Sequence, residues 1–431
     1  MVDVWLPYGK TEVCVRIPIQ NFLGSIEPRE KPRAPDARAE IERVLKEPIA
    51  SKRLGEIAKP EHKVAIVVDD ATRSAPSHLM LPPLLSELNA AGVKGENITV
   101  IFGCGTHRAV TPEEASKLLG EEILGHVKTV SHDCKANDLV LAGTTQKYGT
   151  KVYLNRVFVE ADMRILVGDI GLHYYAGYGG GRKSVLPAVS GEETVNVNHA
   201  MLLHPQARTG VLEGNPVNED MLEAARLAKV DFILNVVTNG KGEIVKAFAG
   251  DMEQAFYEGV KLVDEMYRIS VDRKAEIVVV SAGGYPADVN LFQALKAVNS
   301  AIEVVKRGGV IILVAECLEG HGNQVFYDWM AKFDDLKTVE REIKRNFSLG
   351  GYKAYFLQKA LQNHKITLVS SMPGYYAANI FRLKTARAVN DALNEAFGIA
   401  GKNAKVWVMP YASLTLPEIK VAQEQSIPAN S

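Results

Sequence analysis

Apolar residues along this chain gather in short, near-continuous runs, separated by longer stretches where they recur every third or fourth position. The runs lie at 64–68, 98–102, 164–167, 232–237, 277–281, 310–315, 366–370 and 406–409. Runs this short, bounded by turn residues, suit strands buried on both faces. Helical spacing fills 37–54, 112–119, 221–228, 252–267, 291–306, 336–345 and 385–396. Such alternation predicts an α/β protein with mainly parallel sheets.

Residues 1–30 break the pattern and read as a small β element, followed by a proline-rich link over 27–35. A charged stretch at 270–274 follows one long helix and precedes a fresh strand. Two α/β domains are therefore expected, 1–272 and 273–431, with a cleft between them. The polar tail after Leu416 is expected to fray.

Composition mainly removes classes. Fifty basic against 51 acidic residues leave a formal net charge of -1, unlike a general nucleic-acid binder. No apolar run approaches the ~20 residues that span a bilayer. Residues 1–9 lack the basic and apolar regions of a signal peptide. Four scattered cysteines, Cys14, Cys104, Cys134 and Cys317, form neither a disulfide framework nor a zinc ribbon. A cytoplasmic protein without membrane or nucleic-acid partners is expected.

Ligands of open α/β sheets bind beyond the carboxyl ends of the strands, so the loops there carry the candidate chemistry. Asp69-Asp70-Ala71-Thr72-Arg73 follows the first run; it suits a ribose, a metal or an anionic substrate, and equally a helix cap with a local ion pair. Gly103-Cys104-Gly105-Thr106-His107-Arg108 begins like a dinucleotide fingerprint, but Arg108 stands where the third glycine belongs. His107 remains as a base candidate on a glycine-rich turn. The stretch 168–184 contains His173, then glycines at 177 and 179–181, then Arg182 and Lys183. It departs from a P-loop at Arg182, yet its amides suit an anion and Lys183 suits phosphate binding or nucleophilic attack. His199 and His204, five apart, cannot form a zincin pair. Gln293 and Lys296 share a helix face, as a solvated pair or a carboxylate clamp.

Taken in order, these motifs resemble the nickel-pincer-nucleotide-dependent lactate racemase family of 2-hydroxyacid racemases and epimerases. The matching elements are Asp70-Ala-Thr-Arg73, Gly105-Thr-His-Arg108, His173 with Ala176-Gly177 and Gly180-Gly-Arg-Lys183, His199, and Phe292-Gln293-x-x-Lys296, across about residues 5–410. The resemblance implies a lysine-tethered nickel-pincer nucleotide, made by separate cofactor-synthesis proteins. It implies tethering at Lys183, nickel ligation by His199, a cofactor contact from Asp70, and catalytic histidines at 107 and 173. Arg73, Gln293 and Lys296 would bind the substrate carboxylate. Racemisation would then proceed by proton-coupled hydride transfer, one histidine serving each enantiomer. Phe292 stands where the lactate enzyme has tyrosine, and Tyr174 and Tyr175 follow His173, so lactate, malate and aryl or alkyl lactates all remain candidate substrates. Two alternatives stay open at this level: an NAD-dependent 2-hydroxyacid dehydrogenase, and a non-catalytic ligand sensor.

Overall fold

The computed structural model describes residues 1–73, 75–345 and 347–420. The chain divides into two α/β units, one of Arg29–Met266 and one that joins Met1–Pro28 to the chain from Tyr267 onward.

The Arg29–Met266 unit is built on six strands in the order Ile244–Gly250, Phe232–Thr238, Met163–Asp169, Val64–Asp69, Ile98–Gly103 and Lys128–Ser131. All neighbours run parallel except the first pair. Ile66 and Val68 pack with Val100, Phe102, Ile165 and Val167 on one face, while the intervening Ala65 and Val67 are also buried. That double burial is why the strand lacks polar alternation. From the central Val64–Asp69 strand the chain first runs to one side, then returns to Met163–Asp169 on the other. Three neighbouring carboxyl ends thus lie at a reversal of strand order, where α/β sheets hold ligands.

The second unit has six parallel strands ordered Lys384–Ala386, Lys365–Val369, Val305–Val314, Ala275–Ser281, Val406–Met409 and Phe22–Ser25. The N-terminal residues therefore fold with the C-terminal half, unlike the expected division into 1–272 and 273–431. The reason is packing: Leu6, Val15 and Ile17 of the Val2–Tyr8/Thr11–Ile17 hairpin are fully buried against Ile277, Val279, Ile312 and Val408. A boundary read from composition registers sequence neighbours only.

Several helices follow local rules closely. Pro112–Leu119 opens on a capping box between Thr111 and Glu114 and stops at Gly120, whose φ is +84°. The stretch expected as one helix over 37–54 breaks into Ala37–Lys46 and Leu54–Ile57, because Pro48 lacks an amide donor and restricts Glu47 before it. Helix expected from 385 begins instead at Val389; Lys384–Ala386 is claimed by the sheet edge. The tail begins as a strand, Leu416–Ile419, paired with Arg268–Val271, and the rest of the expected fraying concerns 421–431, outside the described residues.

Candidate active site

Three loops of the Arg29–Met266 unit leave the neighbouring strand ends at Asp69, Gly103 and Asp169. The first two meet directly: His107 Nδ1 lies 2.6 Å from Asp70 Oδ2. Asp70 is buried, and its other oxygen accepts from the Thr72 amide at 3.0 Å and the Thr72 hydroxyl at 2.5 Å. Burial works to raise this carboxyl, but the hydrogen bonds from His107 and Thr72 hold it below the usual carboxylate range. An ionised Asp70 fixes the proton of His107 on Nδ1 and leaves Nε2 as the basic nitrogen. Asp70, expected as a cofactor contact, is here the partner of a histidine.

His173 sits on the tight hairpin Leu172–His173/Gly177–Tyr178. Its Nδ1 accepts the Ala176 amide at 3.2 Å, and its Nε2 is 3.5 Å from Lys183 Nζ. Tyr174 stacks on the ring at 4.7 Å between centroids, and Tyr175 meets it edge-on at 4.6 Å. Burial, then the charges of Lys183 and Arg73, push the imidazole well below its usual pKa. His173 is therefore neutral at pH 7.

Lys183 follows a backbone that only glycine accommodates. At Gly180 φ is +81° and an added Cβ would come within 2.7 Å of the Asp169 carbonyl. Burial, then Arg73 and Arg182, drive the Lys183 amine well below its ordinary pKa, which favours the nucleophilic free base. Arg182, where the sequence departs from a P-loop, serves the loop itself. Its buried guanidinium binds Asn218 Oδ1 at 2.8 Å and the carbonyls of Ala176, Tyr178 and Gly180 at 2.9 to 3.1 Å. Arg108 is likewise engaged, in a two-pronged pair with Glu114 at 2.6 and 2.8 Å. Arg73 is exposed, and its charge reaches Asp69, Asp169, His173 and Lys183.

His199 is buried near the end of the Glu192–Ala200 helix, with Tyr175 5.2 Å away between ring centroids. Burial, then Lys183, lowers it to about 3. A neutral imidazole is the state that ligates a metal, and a lowered amine pKa favours acylation, so both residues fit a tethered metallocofactor. Among the described residues no group of three His, Cys, Asp or Glu side chains is placed to hold a metal. His204 is exposed and accepts the Gln206 amide, a turn role.

Gln293 and Lys296 belong to the other unit, on the Leu291–Val304 helix, where Asn290 caps the Gln293 amide at 3.0 Å. Of Leu291, Leu295, Val298 and Ile302, whose spacing predicts the packed stripe of this helix, the first three are buried and Ile302 is partly so, while Gln293 is half-buried and Lys296 exposed. One turn before Lys296, the Phe292 ring lies 5.2 Å from the ammonium of Lys353, a buried lysine with no sequence signal. The pairing of Asp69 with Asp169 is likewise absent from the sequence pattern. Burial, then Asp169, pushes Asp69 up to about 7; their adjacency in space follows from strand pairing, not spacing.

Sequence profiles of the lactate racemase N-terminal and C-terminal domains match residues 8–210 and 271–413. The lactate racemase of Thermoanaerobacterium thermosaccharolyticum is 34% identical over 420 residues, 95% of this chain and 98% of that one. That of Lactiplantibacillus plantarum is 33% identical over 419 residues, with the same coverage of 95% and 98%. The solved apoprotein of the T. thermosaccharolyticum enzyme superposes with a TM-score of 0.89 at 33% identity, covering 97% of this chain and all of that one. A Thermotoga maritima protein, 19% identical with a TM-score of 0.61 over 89% of this chain and 97% of its own, shares the fold.

Proposed function

This chain belongs to the lactate racemase family, and from that premise we propose that it interconverts the enantiomers of a small 2-hydroxy acid, lactate or a close relative, in the cytoplasm. The observation that carries the reading is the pair of histidines on loops from the two strands that flank Val64–Asp69, one bound to a carboxylate and the other beside a lysine of lowered pKa. Binding alone needs no base on either loop.

When bound through Lys183 and ligated by His199, the nickel-pincer nucleotide supplies a centre that accepts and returns a hydride. The chain's residues manage the proton and the carboxylate. An α C–H bond beside a carboxylate resists deprotonation, so hydride loss must be coupled to removal of the hydroxyl proton. His107 Nε2 is the base set up for that step, since Asp70 holds its Nδ1–H and balances the charge that forms on the ring. His173 serves the opposite enantiomer. Arg73 holds the substrate carboxylate through two parallel hydrogen bonds, which confines the planar keto acid to small rotations. Gln293 and Lys296 are proposed as further carboxylate ligands on the strength of their motif.

Protein produced together with the cofactor-synthesis proteins tests this. Intact-mass and metal analysis are expected to find an adduct on Lys183 and stoichiometric nickel, with racemisation across a panel of single-enantiomer hydroxy acids. A matured protein with neither adduct nor nickel removes the reading.

A further inference from the structure

Asn198 precedes His199 on the Glu192–Ala200 helix and is completely buried. Its amide is held from behind. Nδ2 donates to the Val217 carbonyl at 3.1 Å and to Asp220 Oδ2 at 2.9 Å. Asp220, buried too, accepts from the hydroxyls of Thr145 at 2.7 Å and Thr150 at 3.1 Å. Turning the amide over would set its oxygen against the Val217 carbonyl and a carboxylate, all of them acceptors. In a buried site that loss is costly. Oδ1 therefore faces His199, 3.1 Å from Nδ1, and an acceptor at that place requires the ring to donate.

We propose that Asn198, fixed by Asp220, is a positioning residue that holds His199 in its Nδ1–H tautomer and so turns the Nε2 lone pair to the metal. The metal role rests on the function proposed above; the tautomer belongs to the apoprotein alone. Partners of this kind orient metal-binding histidines generally, and losing one costs about 10–100-fold in affinity.

The test is long-range proton–nitrogen correlation on apoprotein labelled with ¹⁵N-histidine, the His199 signals being identified by their loss in His199→Gln. Wild type is expected to show a protonated Nδ1 and a bare Nε2. Asn198→Leu is expected to mix or reverse the two, and Asp220→Asn, which allows the amide to turn, to mix them without removing Asn198. A wild-type ring protonated on Nε2 overturns the proposal, even if Asn198→Leu does not fold. So does an unchanged tautomer in folded Asn198→Leu. In matured protein, Asn198→Leu is expected to retain nickel about 10–100-fold less well against a chelator, with the Lys183 adduct mass unchanged. Undiminished retention overturns the metal half. Matured wild type lacking nickel while its apoprotein shows the Nδ1–H ring removes His199 as ligand and supports the hold of Asn198 on the tautomer.

Discussion

Asp70 and His107 act as a unit at the scale of single residues. Asp70→Asn keeps the shape but offers an amide NH₂ to Nδ1, which favours the wrong tautomer. Turnover in matured protein is expected to fall by roughly 10²–10⁴-fold with KM little changed; a change confined to KM would assign Asp70 to binding instead. Lys183 gives a second expectation at this scale. Its lowered pKa raises the share of free amine at pH 7, so limiting cyanate is expected to carbamylate Lys183 before the well-exposed Lys94. Peptide mapping reads the order, and Lys94 reacting first contradicts it. The loop histidines, Arg73 and Lys183 were legible in sequence because their residue types stand at strand ends. Asn198 and Asp220 were not: they are 22 positions apart, and Thr145 lies 75 positions from Asp220, so only folding gives their polar groups a shared purpose.

At the scale of elements, the glycine-rich loop is selective about which glycines it needs. An added Cβ at Gly177, where φ is +78°, would lie 2.2 Å from the Val211 carbonyl, while at Gly171 nothing stands within 4 Å. Gly177→Ala is expected to lower apoprotein stability by about 1–3 kcal/mol or more, and Gly171→Ala to change it little, measured by urea titration. Equal losses would contradict the backbone argument. The Leu349–Asn363 helix carries a pH-dependent cost at Lys353, whose pKa burial, then Lys296, lowers well below the ordinary value. The folded state then binds fewer protons than the unfolded one, so stability rises with pH from the folded pKa toward the unfolded value of ~10.4. Lys353→Met is expected to be more stable than wild type at pH 7 and to gain less between pH 7 and 10; equal slopes would contradict this. Element existence was plain from apolar runs, whereas Pro48 and the edge strand at Lys384–Ala386 moved boundaries through steric and tertiary effects that periodicity does not express.

The whole molecule is assembled from one continuous unit and one that needs both ends of the chain. A fragment of residues 29–266 is expected to fold alone, judged by a cooperative melt. A fragment beginning at residue 267 is expected to fail without 1–28, since it would expose the strands that Leu6, Val15 and Ile17 cover. The near-neutral net charge also takes on a sharper meaning. Arg108 and Arg182 are engaged within the protein, so of the arginines on these strand-end loops Arg73 is the candidate for an anionic ligand. In the proposed reaction the same carbon loses and regains a hydride while histidines carry only the hydroxyl proton. Matured protein given one enantiomer of lactate, deuterated at C2, in ordinary water tests it most directly. Optical activity is expected to disappear while deuterium stays at C2 in both enantiomers. Loss of deuterium to water in step with racemisation, or optical activity that persists, would contradict it.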